Sequence, residues 1–292
     1  MFRSFLSVFF FTMAGCAFAQ QHSIGVGVFS GFTVPYSLDK GMDLDSRYSA
    51  RYSLKGAPIG VSFSKDLEHF GFLLTPGLIT IGQDYDVVNT EGGHNGRRER
   101  DSRFFSIPFA LKVHLIDLDF FRVSALATIS AAVLIDVRDR ISHDITKLNF
   151  PKETYPLLPE GYLVEYDGVV SPVVRGNTIS TISDYNKVQA FAGVGLRADW
   201  DVSNHWRVSI DFRVNYGLSE PRTDDYLNRI NSYTSLYDNP GSKRDLYAQF
   251  GIGIGRFLDF DKGDKDREKK LKGTRRVLVP QKQSKSRSKY RR

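Results

Sequence analysis

The sequence predicts an all-β protein, an eight-stranded antiparallel up-and-down transmembrane β-barrel with long extracellular loops. Three observations predict it. Residues 188–199, 206–217 and 246–255 alternate apolar with small or polar side chains, the period at which a strand shows successive residues to opposite faces. The connections between such segments are alternately short and long. The chain also opens on a segment built like a secretory signal.

That signal is Met1 to Ala19. Arg3 supplies the positive start, Phe5 to Ala14 the apolar stretch, and Ala17-Phe18-Ala19 the small residues that cleavage needs, which makes Gln20 the mature start. The run is shorter than the ~20 apolar residues of a membrane anchor. Met13-Ala14-Gly15-Cys16 loosely resembles a bacterial lipobox, with Met13 in place of the usual leucine. Cys16 is the only cysteine. A chain cleaved after Ala19 has no disulfide, thiolate metal site or cysteine nucleophile. No later run is apolar enough for a helical span. Three parts are therefore expected: a signal peptide at 1–19, a barrel at 20–260 and a basic disordered periplasmic tail at 261–292.

Charge is unevenly placed. The chain has 40 Lys and Arg against 33 Asp and Glu, a net +7. Residues 261–292 hold 14 of the basic and 4 of the acidic side chains, so the tail carries +10 and the remainder −3. The basic pI belongs to the tail, and it does not mark a nucleic-acid-binding protein. The tail's low hydrophobicity and high charge predict disorder. Its expected partner is an anionic cell-wall component, the alternative being a solvated extension.

The strands are expected near 23–34, 57–65, 69–84, 103–116, 120–138, 186–201, 205–218 and 245–258. Connections 66–68, 117–119 and 202–204 are short and carry turn residues such as Asp117, Asp119, Ser203 and Asn204. Connections 35–56, 85–102, 139–185 and 219–244 are long and polar. Strict alternation puts all long loops at one end, as in outer-membrane barrels. Pro76 and Pro108 each lack a ladder donor, so a bulge or strand end is expected near each.

Alternation alone also fits a soluble lipid-binding barrel with its apolar face inward. Two features favour the membrane. One row is continuously large and apolar: Phe105, Ile107, Phe109, Leu111, Val113 and Leu115 on one strand; Trp206, Val208, Ile210, Phe212, Val214 and Tyr216 on another. The opposite rows mix glycine with charge, as in Gly251, Gly253 and Gly255, or Gly193, Gly195, Arg197 and Asp199. The interior of eight strands is only wide enough for packed side chains. Glycines make room there for long charged neighbours, whereas on a soluble barrel's outside they would weaken the strand and fill nothing. Trp206 and Tyr216 end one apolar row, as interfacial girdles require.

With the strands placed, a family resemblance is visible. Arg103-Phe104-Phe105-Ser106-Ile107-Pro108-Phe109-Ala110-Leu111-Lys112 resembles the Ile-Pro strand of the PorT-like outer-membrane β-barrel family of Bacteroidota. Ala192-Gly193-Val194-Gly195-Leu196, then Trp206-Arg207-Val208-Ser209 and Tyr216-Gly217-Leu218, resemble that family's later hairpin. The resemblance spans roughly residues 22–258. It implies the outer membrane and a role in envelope organisation or support of type IX secretion. The long third loop and the basic tail depart from the compact family pattern.

The inward charges form the strongest constellation: Lys112, Arg122, Asp136, Arg197, Asp199, Arg207, Asp211 and Arg213. Buried charge is costly unless paired, so a salt-bridge plug is expected, the alternative being a gated pore. Enzymatic parts are weaker. His94, His143, Ser142, Asp224 and Asp225 could serve a rim hydrolase, but no G-x-S-x-G segment accompanies them. No enzyme, cofactor or metal site is expected. Tyr155, Tyr162, Tyr166, Tyr185, Tyr226, Tyr233 and Tyr237 fall in the third and fourth loops and are candidate contacts to envelope or secretion proteins, since Tyr adds contact area at low entropy cost. The alternative is that they pack the loops against themselves or sit at the lipid boundary.

Overall fold

The computed structural model describes residues 23–259 except 57, 119 and 204. The expectations for the signal segment, Asp119, Asn204 and the tail lie outside the described residues. The strands are β1 (Ser23–Asp39), β2 (Tyr48–Arg51), β3 (Ile59–Asp66), β4 (Phe70–Leu74), β5 (Gly77–Ile81), β6 (Asp84–Val88), β7 (His94–Leu118), β8 (Phe121–His143), β9 (Thr146–Leu148), β10 (Leu163–Glu165), β11 (Gly168–Ser171), β12 (Val174–Ser180), β13 (Val188–Asp201), β14 (Trp206–Gly217) and β15 (Lys243–Asp259). Two helices, α1 (Lys40–Asp43) and α2 (Asp224–Asn231), lie in the long connections.

The ladder runs β1–β3–β4–β7–β8–β13–β14–β15 and returns to β1. β5 continues the line of β4 along β7. The result is a closed antiparallel ring of eight barrel strands. Closure leaves no open edge in hydrocarbon, where each unpaired backbone group would cost several kcal/mol.

The two prolines act at one place. β4 ends at Leu74 and β5 begins at Gly77, with Pro76 between. Leu74 faces Phe109 and Gly77 faces Ser106, so this break lies opposite Pro108. The Pro108 carbonyl accepts from Thr75 N–H at 3.0 Å. In an antiparallel strand a residue's N and O point to the same side, so the donor missing from Pro108 faces the break made by Pro76. The interruption expected at Pro76 is present. The one expected at Pro108 is not: β7 runs through it and pairs with Ser130 of β8.

The outward rows are apolar. Phe105, Ile107, Leu111, Val113 and Leu115 of β7 are exposed, as are Ile129, Val133 and Ile135 of β8 and Ile252 and Ile254 of β15. Ten residue steps from Phe105 to Leu115, at about 3.3 Å each and a tilt of about 40°, give an apolar band about 25 Å tall. Aromatic side chains mark its limits. Trp206, Phe120 and the Phe121–Trp200 pair, with centroids 5.1 Å apart, lie at the short-turn end. Tyr216 and the stacked Tyr36 and Tyr52 rings lie toward the other.

The long connections are themselves folded. β7 and β8 continue beyond the band as a hairpin, flanked by β12 on one side and by β6 and β2 on the other. A second sheet, β10–β11–β9, stands beside them. Met42, Tyr48, Tyr85, Val87, Ile141, Leu148, Phe150, Val169 and Tyr237 form an apolar cluster under these elements. The long-loop end is a dome with its own core.

Candidate functional site

The inner row of β7 shows the filling of the barrel from bottom to top: Lys112, Ala110, Ser106, Phe104, Arg100 and Arg98 are all buried. They belong to three storeys.

The lowest storey is ionic. Lys112 pairs with Asp66 and lies 3.6 Å from Asp199. Arg197 meets Asp199 at 2.8 Å and Asp211 at 3.2 Å, and donates to Ser209 Oγ at 2.7 Å. Arg213 grips Asp211 through two nitrogens, at 2.7 and 2.5 Å, and reaches Thr75 Oγ1 at 3.1 Å. Arg207 binds Asp66 and Asp201 and lies over the Phe257 ring, 4.5 Å from its centroid. Arg122 joins Asp66 at 3.1 Å to Asp117 at 2.8 Å. Five cations thus face five carboxylates in one connected network, the balance that burial demands. The cross-strand neighbour of Arg213 on β13 is Gly195, and a Cβ there would come within 3.0 Å of Arg213 Cγ. Glycine makes the space that the arginine fills. The void beside Arg197, Arg207 and Ser209 is about 20 Å³, room for about one water.

Seven of the eight predicted inward charges fall in this network. Asp136 does not. It is turned outward, 41% exposed, with Arg138 as its partner at 3.4 Å. β7 and β8 pair Phe104 with Leu134 but Arg103 with Asp136, leaving Ile135 as an extra residue. One inserted residue exchanges the two faces of everything beyond it. Asp139 takes the inward place instead. Asp66, read as a turn residue, is a hub that three cations share.

The middle storey is apolar. Ile79, Ile81, Phe104, Ala132, Leu134, Tyr185, Phe191 and Tyr247 pack across the lumen. Phe191 lies edge-on to Phe104 and Tyr247, with centroids 6.3 and 5.5 Å away.

The upper storey is a second ionic cluster, which clasps the fourth loop onto the barrel. Arg98 holds Asp139 at 2.7 Å and Asp238 at 2.8 Å, and donates to the Tyr237 carbonyl at 2.9 Å. Arg100 reaches Asp39, Asp139 and Asp238 at 3.2, 3.2 and 3.1 Å. Tyr226 of α2 donates its hydroxyl to Asp238. Arg47 donates to the Leu236 carbonyl at 2.9 Å, and Arg222 to that of Gly241. Burial alone would raise the Asp238 carboxyl, but Arg98 and Arg100 hold it well below the usual carboxylate range. The same burial, with Asp238 alongside, pushes the Tyr226 phenol far up, so it remains a donor.

The loop tyrosines divide. Tyr185, Tyr226 and Tyr237 are buried, which overturns their reading as contact residues. Tyr185 belongs to the apolar storey and the other two to the clasp and the dome core. Tyr155 and Tyr162 pack on that core, and Tyr162 hydrogen-bonds Tyr237 at 2.6 Å between hydroxyls. Tyr233 is half-buried with a φ of 57°. Tyr166, at the turn between β10 and β11, is fully open at 107%.

The rim residues weighed for hydrolysis do not assemble. His143 Nδ1 meets the Asp144 carbonyl at 2.8 Å, and burial pushes the ring's pKa down. Ser142 Oγ accepts from Gly176 N–H at 2.8 Å. Asp224 and Asp225 form the exposed first turn of α2. His94 lies 3.8 Å from Asp86. None of these contacts joins a nucleophile to a base.

A closed ring with apolar outward rows, aromatic girdles and a filled polar lumen is a transmembrane β-barrel. Residues 18–220 match the outer membrane protein beta-barrel domain family, and the chain belongs to it; its place is the outer membrane. Solved structures similar to it include Neisserial surface protein A (11% identity, 81% of this chain and 97% of that one, TM-score 0.40). The N-terminal β-barrel domain of Pseudomonas aeruginosa OprF matches at 11% identity over 82% and 98%, TM-score 0.36. Pseudomonas aeruginosa OprG matches at 10% identity over 82% and 97%, TM-score 0.39. No curated protein matches the chain.

Proposed function

We propose that this protein is a non-enzymatic, non-conducting barrel that binds envelope components through its external dome. Its role is then envelope organisation or support of secretion, as the resemblance to PorT-like proteins implies. One observation carries the reading: the lumen is occupied at three levels, while the long connections spend their residues on a built dome. A pore would need the reverse, an open bore with loops kept clear of it. A rigid scaffold carrying ordered loops is instead the usual form of a binding surface.

In this reading Met1 to Ala19 directs export and is removed. Both ends of the barrel chain then face the periplasm, where the +10 tail meets an anionic cell-wall component. Photo-crosslinking from Tyr166 in whole cells tests the main claim. A discrete envelope adduct is expected there and not from His205 at the opposite rim. Adducts from His205 alone would place the working surface in the periplasm and refute the reading.

A further inference from the structure

The outside of the dome has a charge pattern that neither the barrel nor its clasp uses. Above Phe105 the outward row of β7 changes from apolar to charged, with Arg103, Glu99 and Arg97 exposed. On β8 the bulge at Ile135 brings Arg138 and Arg140 to the same face. Arg175 of β12 and Lys187, just before β13, flank them and are exposed. Six cations share this sector with Glu99, Asp136 and Asp144, and with two carboxylates already held by other cations, Asp101 by Lys55 at 2.8 Å and Asp86 by Arg51 at 3.3 Å. Arg138 is paired with Asp136 at 3.4 Å and Arg175 with Asp144 at 2.8 Å. The other four have no ion pair among the described residues. On β1 the outward positions near its dome end are the uncharged Tyr36 and Leu38.

Height and shape specify the ligand. Arg103 stands two residues above Phe105, at the edge of the apolar band. Arg97 stands eight above, about 20 Å higher at about 3.3 Å per residue and a tilt of about 40°. The upper part is an open groove of about 500 Å³ lined by Arg97, Arg140 and Arg175, by Glu99 and Asp144, and by Gly96 and Gly176. Exposed arginines add little to stability, but their planar forks suit phosphate oxygens two at a time. Below them, the exposed Phe105, Val133 and Ile135 side chains offer a surface for acyl chains.

We propose that this arginine stripe binds the phosphorylated headgroup of an outer-leaflet glycolipid, seating its acyl chains on the β7–β8 face and its phosphates on Arg97, Arg103, Arg138 and Arg140. The site rests on the dome being external, which whole-cell labelling at Tyr166 tests separately.

Full-length protein folded in detergent would be titrated with diphosphorylated lipid A, with the same lipid dephosphorylated, and with inorganic phosphate, and binding read by native mass spectrometry. Heat-modifiable migration on gels confirms the barrel in every sample. The phosphorylated lipid should bind about tenfold or more tightly than the dephosphorylated one, and R97Q/R103Q/R140Q should remove that preference. R256Q, at the opposite rim, should leave it unchanged. Equal binding of both lipid forms, or a preference that survives R97Q/R103Q/R140Q in a folded barrel, would overturn the site. Displacement by inorganic phosphate at the lipid's own concentration would overturn the lipid as its source.

Discussion

Asp238→Ala should release the fourth loop without dissolving the barrel. The buried clasp sets Arg98 and Arg100 against Asp39, Asp139 and Asp238, while Arg222, held by Glu220 at 2.8 Å, lies 4.0 Å from Asp39. Removing Asp238 takes away the acceptor of Arg98 at 2.8 Å, of Arg100 at 3.1 Å and of the Tyr226 hydroxyl. Arg98 keeps Asp139 and Arg100 keeps Asp139 and Asp39, but both arginines and the Tyr226 hydroxyl each lose a buried partner. Breaking a buried pair in this way costs about 3–5 kcal/mol. The loss falls on the contacts of residues 219–242, because none of the barrel ladders includes Asp238. Local opening of that loop should rise by about two to four orders of magnitude. The assay is limited proteolysis of folded, detergent-solubilised protein, where cleavage tracks the open population. Parent and variant should migrate alike as folded barrels, with the variant cut within 219–242. Equal resistance in both would refute the clasp.

Acid gives an independent reading of the same cluster. Asp238 has a depressed folded-state pKa, so its contribution to stability is complete above its unfolded value near pH 3.9 and is lost as pH falls below it; protection of residues 219–242 should stay constant from pH 8 to about 5 and decline below about 4. D139A should destabilise the dome by about 3–5 kcal/mol while D136A changes it by less than about 1 kcal/mol, and chemical denaturation showing the opposite order would refute the bulge at Ile135. Ile210→Arg on the lipid face should cost about 2–4 kcal/mol in bilayer folding if it lies near the midplane, and folding like the parent would mean that the faces are inverted. Deletion after Lys262 should leave heat-modifiable migration intact and abolish salt-sensitive co-sedimentation with cell wall, since exposed charge is screened over about 8 Å at physiological salt; equal, salt-independent binding by both forms would reduce the tail to a solvated extension.

The barrel was legible because a lipid-facing strand must keep period two. The rows of β7 and β14, the glycines opposite the lumen charges and the break at Pro76 all follow from that constraint. Seven of the eight inward charges follow as well. Asp136 escapes because parity counted along β8 is valid only until a residue is inserted, and nothing in Leu134-Ile135-Asp136 announces the insertion. Only pairing with β7 reveals it, through Arg103 and Phe104. Pro108 misleads for a related reason: its missing donor matters only if a neighbour needs it, and the neighbouring strand is already broken at Pro76. The clasp was out of reach for a different reason. Asp39, Arg98 and Asp238 lie in segments that read as polar loops, and 138 or more residues separate Asp238 from the arginines it binds. Arg98 and Arg100 did leave a trace, as alternate positions in a run of charges, which is a strand pattern with a buried ionic face. The loop tyrosines could be counted from the sequence but not oriented, since their burial depends on the dome core that they help to build.

The central claim is that the lumen is filled: a five-by-five ionic network below, aromatic side chains in the middle and the clasp above. Conductance of the purified full-length protein in planar bilayers tests it most directly. Little or no stable current is predicted, with brief fluctuations at most. A large, stable, ohmic conductance from the wild-type barrel would contradict the account.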